Sequence, residues 1–485
     1  MHADFLFYLI FLFYSMKKTK IVVTVGPATE SEEMLSKLLS AGMNIMRLNF
    51  SHGDFAEHQV RVDNLKRAMN KTNLEAGIIQ DLGGPKIRTG NFKTESVTLK
   101  KGQTFTFTTD EIIGDETIVS VNYKPLTKEV KKGHIIFLHD GAKKFIVKEV
   151  KGSKVICEVL VGGDIVGRRG LNLPNSNLSI KSLSPKDIKD LEFGIKNKVD
   201  YMALSFVRSP KDIIELRDIL KKRKADIGII AKIETPQAIE SIDEIIRLSD
   251  AIMVARGDLA IEVPFEKVPS LQKMIIKKCN VLGKPVITAT HMLESMIKSP
   301  IATRAEVSDV ANAVLDGTDA IMLSGETTTG DNPIEAVTVM ARIAMEMERD
   351  LPERPIVRVG ANGDTDISDS VTSSVVKTAH DVGAKLIVAL TDSGFTARMI
   401  SRHKPHAPIL ALTPIEGTSR KLLLLFGCLP ITVPRYNTLA DVFVIVRDYC
   451  FKEKLVKKGD KVVVVAGVPF NTKGLATNML VVVTM

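Results

Sequence analysis

Eight short apolar runs, each closing on a polar or charged residue, narrow most sharply what this chain can fold into. They are K-I-V-V-T-V-G (20–26), N-I-M-R-L-N-F (44–50), A-G-I-I-Q-D-L (76–82), Y-M-A-L-S-F (201–206), G-I-I-A-K-I-E (228–234), A-I-M-V-A-R-G-D (251–258), P-V-I-T-A-T (285–290) and A-I-M-L-S-G-E (320–326). Runs of this length and texture read as strands covered on both faces, and the longer amphipathic stretches between them read as helices. Eight such units predict a closed α/β barrel, the (β/α)8 or TIM barrel. Ser184-Pro185, Ser209-Pro210, Thr235-Pro236 and Asn332-Pro333 each place a capping side chain before Pro at a first helical position. Thr303 and Glu306 have the spacing of a capping box.

The pattern breaks twice. Residues 87–174 alternate with period two between Gly turns, as in K-K-F-I-V-K-E-V-K-G-S-K-V-I-C-E-V, and predict a small antiparallel β domain inserted in a barrel loop. The barrel is therefore expected over 17–86 and 175–350, with Gly83-Gly84-Pro85 as the hinge where the chain leaves it. After a linker marked by Pro352 and Pro355, residues 353–485 show five more apolar runs and predict a separate open α/β sheet. Residues 1–16 do not share the texture of the barrel units. The run from Phe5 to Tyr14 is too short to span a bilayer, which takes about 20 residues, and Asp4 without a basic stretch is unlike a signal peptide. These residues are expected to be an extension outside the fold, with no membrane role.

Charge and cysteine content exclude several classes. The net charge is +9 over 485 residues, but the lysines are dispersed apart from Lys221-Lys222-Arg223-Lys224. That distribution suits anionic small substrates rather than nucleic acid, and no aromatic-interleaved RNA motif is present. Cys157, Cys279, Cys428 and Cys450 lie far apart, so neither a disulfide framework nor a zinc site is expected, and a reducing cytoplasm fits.

In a barrel of this type, polar groups at strand C-termini read as catalytic. Arg47 and Asn49 are two apart and share a face, with Ser51 and His52 just beyond. Asp81, Ser205, Lys232, Glu234, Asp258, Thr290, Ser324 and Glu326 close the other runs. Glu234 and Asp258 offer hard oxygen ligands to Mg²⁺, leaving positions for substrate oxygens. Arg47 can grip a phosphoryl group with a fork of donors. Lys232 can neutralise a developing oxyanion. The Arg256-Gly257-Asp258 turn can offer backbone N–H groups to a carboxylate. Together they suggest a small phosphorylated acid, bound with a metal, that loses its phosphoryl group. Two other readings stay open: a metal-dependent aldolase or lyase acting on pyruvate-like acids, and a non-catalytic metabolite sensor. No P-loop and no protein-kinase signature is present.

The stretches T-V-G-P-A-T, R-L-N-F-S-H-G, G-P-K-I-R-T-G, G-L-N-L-P, A-K-I-E-T, M-V-A-R-G-D-L, K-P-V-I-T-A-T-H-M-L-E-S-M and T-R-A-E-V-S-D-V-A-N-A-V-L-D-G-T-D-A-I-M-L-S-G-E-T occur in this order. Across residues 17–485 they resemble the pyruvate kinase family. The resemblance implies transfer of the phosphoryl group of phosphoenolpyruvate to ADP, giving pyruvate and ATP in glycolysis. It implies Arg47 and Lys232 on the transferring group, Lys232 also on the enolate, and Glu234 and Asp258 on Mg²⁺, with Mn²⁺ as an alternative ion. Gly257, Asp258 and Thr290 would receive the substrate carboxylate, Thr290 lying on the protonation side and working through water. Asn49, His52, Arg88 and Arg169 would face the nucleotide, Arg169 replacing a common Lys. The inserted domain would be a β-barrel lid, and the assembly a homotetramer.

Departures from the family pattern are informative. Where many members read D-T-K-G-P-E-I-R-T-G, this chain reads D-L-G-G-P-K-I-R-T-G (81–90). In those members the Asp and Thr, with an Asn and a Ser, bind an activating K⁺. Here Asn49, Ser51 and Asp81 are kept, Leu82 replaces Thr, and Lys86 replaces Glu. A fixed ammonium at Lys86 is expected to stand in for K⁺. His291 stands where many members carry Gln. In the C-terminal domain Thr391, Ser393, Gly394 and Thr396 form a strand-to-helix turn suited to a phosphate. The resemblance implies a sugar-phosphate or nucleotide effector there.

Overall fold

A computed structural model describes residues 17–174, 176, 178–352, 366–470, 472 and 475–485. The expected extension and most of the expected linker therefore lie outside the described residues. Eight parallel strands close into a barrel: Lys20–Thr24, Ile45–Asn49, Gly77–Asp81, Tyr201–Leu204, Gly228–Ile233, Ala251–Ala255, Val286–Ala289 and Ala320–Leu323. Neighbours in sequence are neighbours round the ring, and the first strand pairs with the eighth through Val22 and Met322. Alternation along each strand builds two cores. Val22, Ile45, Ile79, Ile230, Met253 and Ile287 fill the barrel interior, while Ile21, Met46, Ile78, Ile229 and Ala231 pack outward against the helices.

The helix starts follow their caps. Ser184 Oγ accepts from Asp187 N–H at 3.1 Å while the Asp187 carboxylate accepts from Ser184 N–H at 2.8 Å, and Pro185 occupies the first helical position. Thr303 and Glu306 make the same reciprocal box. Asn332 caps its helix without a side-chain bond.

The inserted domain has its own core, from Ile87 through Phe105, Phe107 and Phe145 to Leu173. Leu178 and Ile180 also pack on it, so the packing of the insert continues past residue 174. Its strands form a six-stranded sheet and a two-stranded ribbon. One pair, Thr104–Thr108 with Ile118–Ser120, runs parallel, which period-two alternation cannot distinguish from antiparallel pairing. The C-terminal domain is an open five-stranded sheet, four strands parallel and the last, Met479–Thr484, antiparallel. It seals the N-terminal mouth of the barrel, where Leu423 and Leu424 join the interior core and Lys404 reaches Asp319 at 2.8 Å. Among the described residues no helix is long and apolar enough to cross a membrane, and all four cysteines are free and buried.

Candidate active site

The C-terminal ends of the barrel strands hold a buried chain of charge. Asp81, 1% exposed, is its centre. Arg47 Nε and Nη2 both donate to Asp81 Oδ2, at 2.7 and 2.6 Å, and Arg47 Nη1 donates to Thr24 Oγ1 at 2.9 Å. On the other side Lys232 Nζ lies 3.3 Å from Asp81 Oδ1 and 2.9 Å from Glu234 Oε1, and donates to Ser205 Oγ at 2.7 Å. These residues converge because inward-facing positions recur every second residue: 47 and 49 on one strand, 79 and 81 on the next, 230, 232 and 234 on the fifth. In sequence Ser205 is only a strand-end hydroxyl; the structure makes it the bridge between Lys232 and the Leu82 carbonyl, to which it donates at 2.7 Å.

The electrostatics follow from sharing. Burial alone would raise the Asp81 carboxyl, but Lys232 and Arg47 outweigh it and hold it below the usual range. Burial likewise disfavours the Lys232 ammonium, yet Asp81 and Glu234 outweigh it and hold it charged well above its ordinary value. Glu234 behaves oppositely: burial dominates and raises it, with the nearby charge of Asp258 adding to the shift. One ammonium divided between two carboxylates leaves Glu234 with less than a full counter-ion.

That shortfall bears on a metal. Glu234 Oε2 accepts from Phe206 N–H at 2.7 Å, but the buried Oε1 has no aligned hydrogen-bond donor despite its closeness to Lys232. Among the described residues no group of three or more His, Cys, Asp or Glu side chains is placed to hold a metal ion by itself. The charge of Asp258 is felt at Glu234, so these two carboxylates are the ones that could share an ion. This donor set suits Mg²⁺, which keeps water and substrate oxygens in its shell.

A strained turn stands opposite. Thr290 and His291 both have positive φ, 69° and 54°, a conformation disfavoured for a β-branched residue. The turn is held by Arg256, whose guanidinium donates to the carbonyls of Thr290 at 2.7 Å and Ala289 at 3.3 Å and pairs with Asp309 at 2.6 Å. In sequence Arg256 is only part of a turn; its bracing role depends on partners 33 or more residues away. The result places Thr290 Oγ1 2.7 Å from the Gly257 N–H, at the start of the helix Arg256–Glu262. His291 stands beside Gly257, where a Cβ would come within 3.4 Å of its ring.

Other expected residues have partners of their own. Glu326 is structural: its buried carboxylate accepts from Leu293 N–H at 3.1 Å and Ser324 N–H at 2.7 Å. The Leu82 side chain packs outward in the barrel–helix core, so only its carbonyl faces the rim. Leu82 thus removes no hydroxyl from a cation site, and the parity of the strand already implied this, because Asp81 faces inward. Asn49 turns back to accept from Ser51 N–H at 3.1 Å. Lys86, Arg88 and Arg47 converge on His52, which burial and then these three cations push below its ordinary value. Arg88 pairs across the hinge with Gly170, and Arg169 is exposed next to it. The hinge borders a cleft of about 720 Å³ lined by Ser51, Lys86, Arg88 and Tyr123 among others.

The family models decide what this arrangement belongs to. The pyruvate kinase barrel domain matches residues 16–337 and the pyruvate kinase alpha/beta domain matches residues 369–483. The chain belongs to the pyruvate kinase family. It is 45% identical over 471 residues to the pyruvate kinase of Clostridium perfringens, covering 96% of this chain and 99% of that one. It is 44% identical over 468 residues to the pyruvate kinase of Staphylococcus epidermidis, covering 96% and 80%. A solved pyruvate kinase from Cryptosporidium parvum superposes with a TM-score of 0.90 at 36% identity, covering 98% and 97%. The charged rim is therefore the rim of a pyruvate kinase, a phosphotransferase, and the lyase and sensor readings fall away.

The C-terminal turn is built differently. Gly394 adopts φ 81° before the helix Phe395–Ser401, and the Thr396 hydroxyl is taken up by Thr477 at 3.0 Å. Thr391, Ser393 and Arg398 line a pocket of about 560 Å³ that also contains Asp366 and Asp392.

Proposed function

We propose that this pyruvate kinase moves the phosphoryl group of phosphoenolpyruvate to ADP with Mg²⁺ (or Mn²⁺) and without K⁺, in cytoplasmic glycolysis. The observation that carries the reading is the Arg47–Asp81–Lys232–Glu234 chain, with one Glu234 oxygen lacking an aligned donor. Glu234 and Asp258 would hold the metal, whose chemistry is to neutralise phosphoryl and enolate oxygens. Arg47, already oriented by Asp81 and Thr24, keeps spare N–H donors for the phosphoryl group. Lys232 sits where negative charge grows on the enolate oxygen. Gly257, Asp258 and Thr290 receive the carboxylate, and Thr290 lies on the protonation side of the enolate, working through water. Asn49, His52, Arg88 and Arg169 face the nucleotide, and the inserted domain closes over it to exclude water.

Lys86 supports the K⁺-free reading because among the described residues it has no ion pair, and its charge is felt at His52 next to Asn49 and Ser51. The effector reading rests on the Thr391, Ser393 and Gly394 turn with Thr396, whose hydroxyl also meets Thr477, and with Arg398 as its cation. A homotetramer is the assembly the family resemblance suggests. The test is ATP formation from phosphoenolpyruvate and ADP with Mg²⁺, first without K⁺ and then with it, for the wild type and Lys86→Glu. Full wild-type rate before K⁺ is added, with Lys86→Glu active only after, is the expected result. A wild type that is silent until K⁺ is restored would overturn the role given to Lys86.

A further inference from the structure

We infer that Glu262 is a positioning residue that couples the lid to the turn carrying Gly257 and Asp258. The coupling is the bond that Asn172 Nδ2 donates to Glu262 Oε1 at 2.9 Å across the boundary between lid and barrel.

The helix Arg256–Glu262 has only seven residues, about 10 Å of length. Both of its ends are in use. At the first turn the Gly257 N–H meets Thr290, and Arg256 is fixed to the Ala289 and Thr290 carbonyls and to Asp309. At the last turn the lid makes two contacts. Asn172 holds Glu262, and the lid turn at Gly141 approaches Ile261 so closely that a Cβ on Gly141 would lie 3.4 Å from Ile261 Cγ1. Positive φ at His139, Asp140 and Gly141 shapes that turn.

The two lid contacts belong to one body. Asn172 pairs with Phe137 in the strand Ile135–Leu138, which runs directly into the Gly141 turn. A lid that moves as a unit therefore displaces Glu262 and Ile261 together. A helix of two turns cannot absorb such a displacement by bending, so it reaches Gly257 and Asp258. The barrel side also grips the return crossing, because Arg208 Nη1 donates to the Ile180 carbonyl at 3.0 Å. Lid closure over the nucleotide and alignment of the carboxylate- and metal-holding turn become one event. This rests on the roles proposed above for Gly257 and Asp258.

The experiment is a double-mutant cycle in the full-length enzyme: Asn172→Ala, Glu262→Ala, both together, and Glu262→Gln, each with kcat, both KM values and a thermal melt. Each alanine variant should lower kcat about fivefold to thirtyfold, with a smaller change in the KM for ADP. The double variant should be no worse than the weaker single one. Glu262→Gln should stay within about twofold of wild type, because its amide oxygen accepts the same bond. Additive losses, a Glu262→Gln as impaired as Glu262→Ala, or losses that track melting temperature alone would overturn the coupling. Asp258→Asn separates the two levels. If it retains full turnover, the reading of the site fails; if it is inactive while the cycle is additive, only the coupling fails.

Discussion

At the barrel rim, Asp81 is 1% exposed and shared by Arg47 and Lys232 within 3.3 Å. At the C-terminal turn, Asp392 is 49% exposed and meets Arg435, itself 58% exposed, only at 3.6 Å. Both places gather carboxylates, cations and hydroxyls at the C-terminal ends of parallel strands. The charged groups of the rim are buried and held by fixed partners, so its donors need little rearrangement when charge moves. The C-terminal turn is about half exposed, so its charges are screened by solvent. The first arrangement suits a chemical step, the second a reversible binding event.

The comparison breaks most sharply at Lys232. Lys232→Met removes the shared cation: Asp81 keeps Arg47, but Glu234 is left buried without its ion-pair partner. Turnover should fall by about a thousandfold, and stability by about 3 kcal/mol, because the buried Glu234 carboxylate loses its counter-charge. Steady-state kinetics and urea unfolding check the two losses separately. A variant that loses turnover at unchanged stability would show that the rim is wetter than its geometry implies.

How much of this is legible in the sequence depends on the distance between partners. Arg47, Asp81, Lys232 and Glu234 are readable because strand parity alone puts positions 47, 81, 232 and 234 on one inward face. The same parity puts Leu82 on the outside, where it is found. Glu326 looks equivalent to Glu234 in sequence, since both end a strand. What separates them is the backbone that curls back onto Glu326, and a local pattern does not encode that. Arg256, Asn172 and Glu262 are illegible for a related reason. Each acts through a partner on another element, and no short-range signal links 172 to 262. The positive φ of Thr290 is likewise imposed from outside, through Arg256.

A smaller effect sharpens the contrast through pH. His58 stacks on Phe50 beneath the rim, its Nε2–H donating to the His52 carbonyl at 3.0 Å while Arg61 faces its Nδ1 at 3.4 Å. Burial and then Arg61 push it from an ordinary 6.5 down to about 4. In the folded chain it stays neutral through that interval, while the unfolded chain takes up the proton. Its contribution is therefore complete above pH 6.5 and is lost as pH falls to about 4. The loss amounts to about 3 kcal/mol. Unfolding free energies of the wild type and His58→Gln, compared from pH 7.5 to 4.5, should converge on acidification. A constant gap between them would mean that His58 titrates normally and that the support under the rim is open to water.

The smallest effect should come from the other side of the comparison. Asp392→Asn keeps the backbone carbonyl that accepts from Thr418 Oγ1 at 2.8 Å, so the turn retains its shape and loses only a charge. A half-exposed pair at this separation is screened, and its removal should change stability by less than about 0.5 kcal/mol. The same substitution removes a negative charge from a pocket that contains Arg398. Inorganic phosphate should therefore raise the melting temperature of Asp392→Asn more than that of the wild type, since only the folded pocket offers the anion a site. Equal responses would mean that phosphate does not use this turn. A large loss of stability would mean that Asp392 is held as tightly as Asp81, and the two ends of the molecule would then follow one principle instead of two.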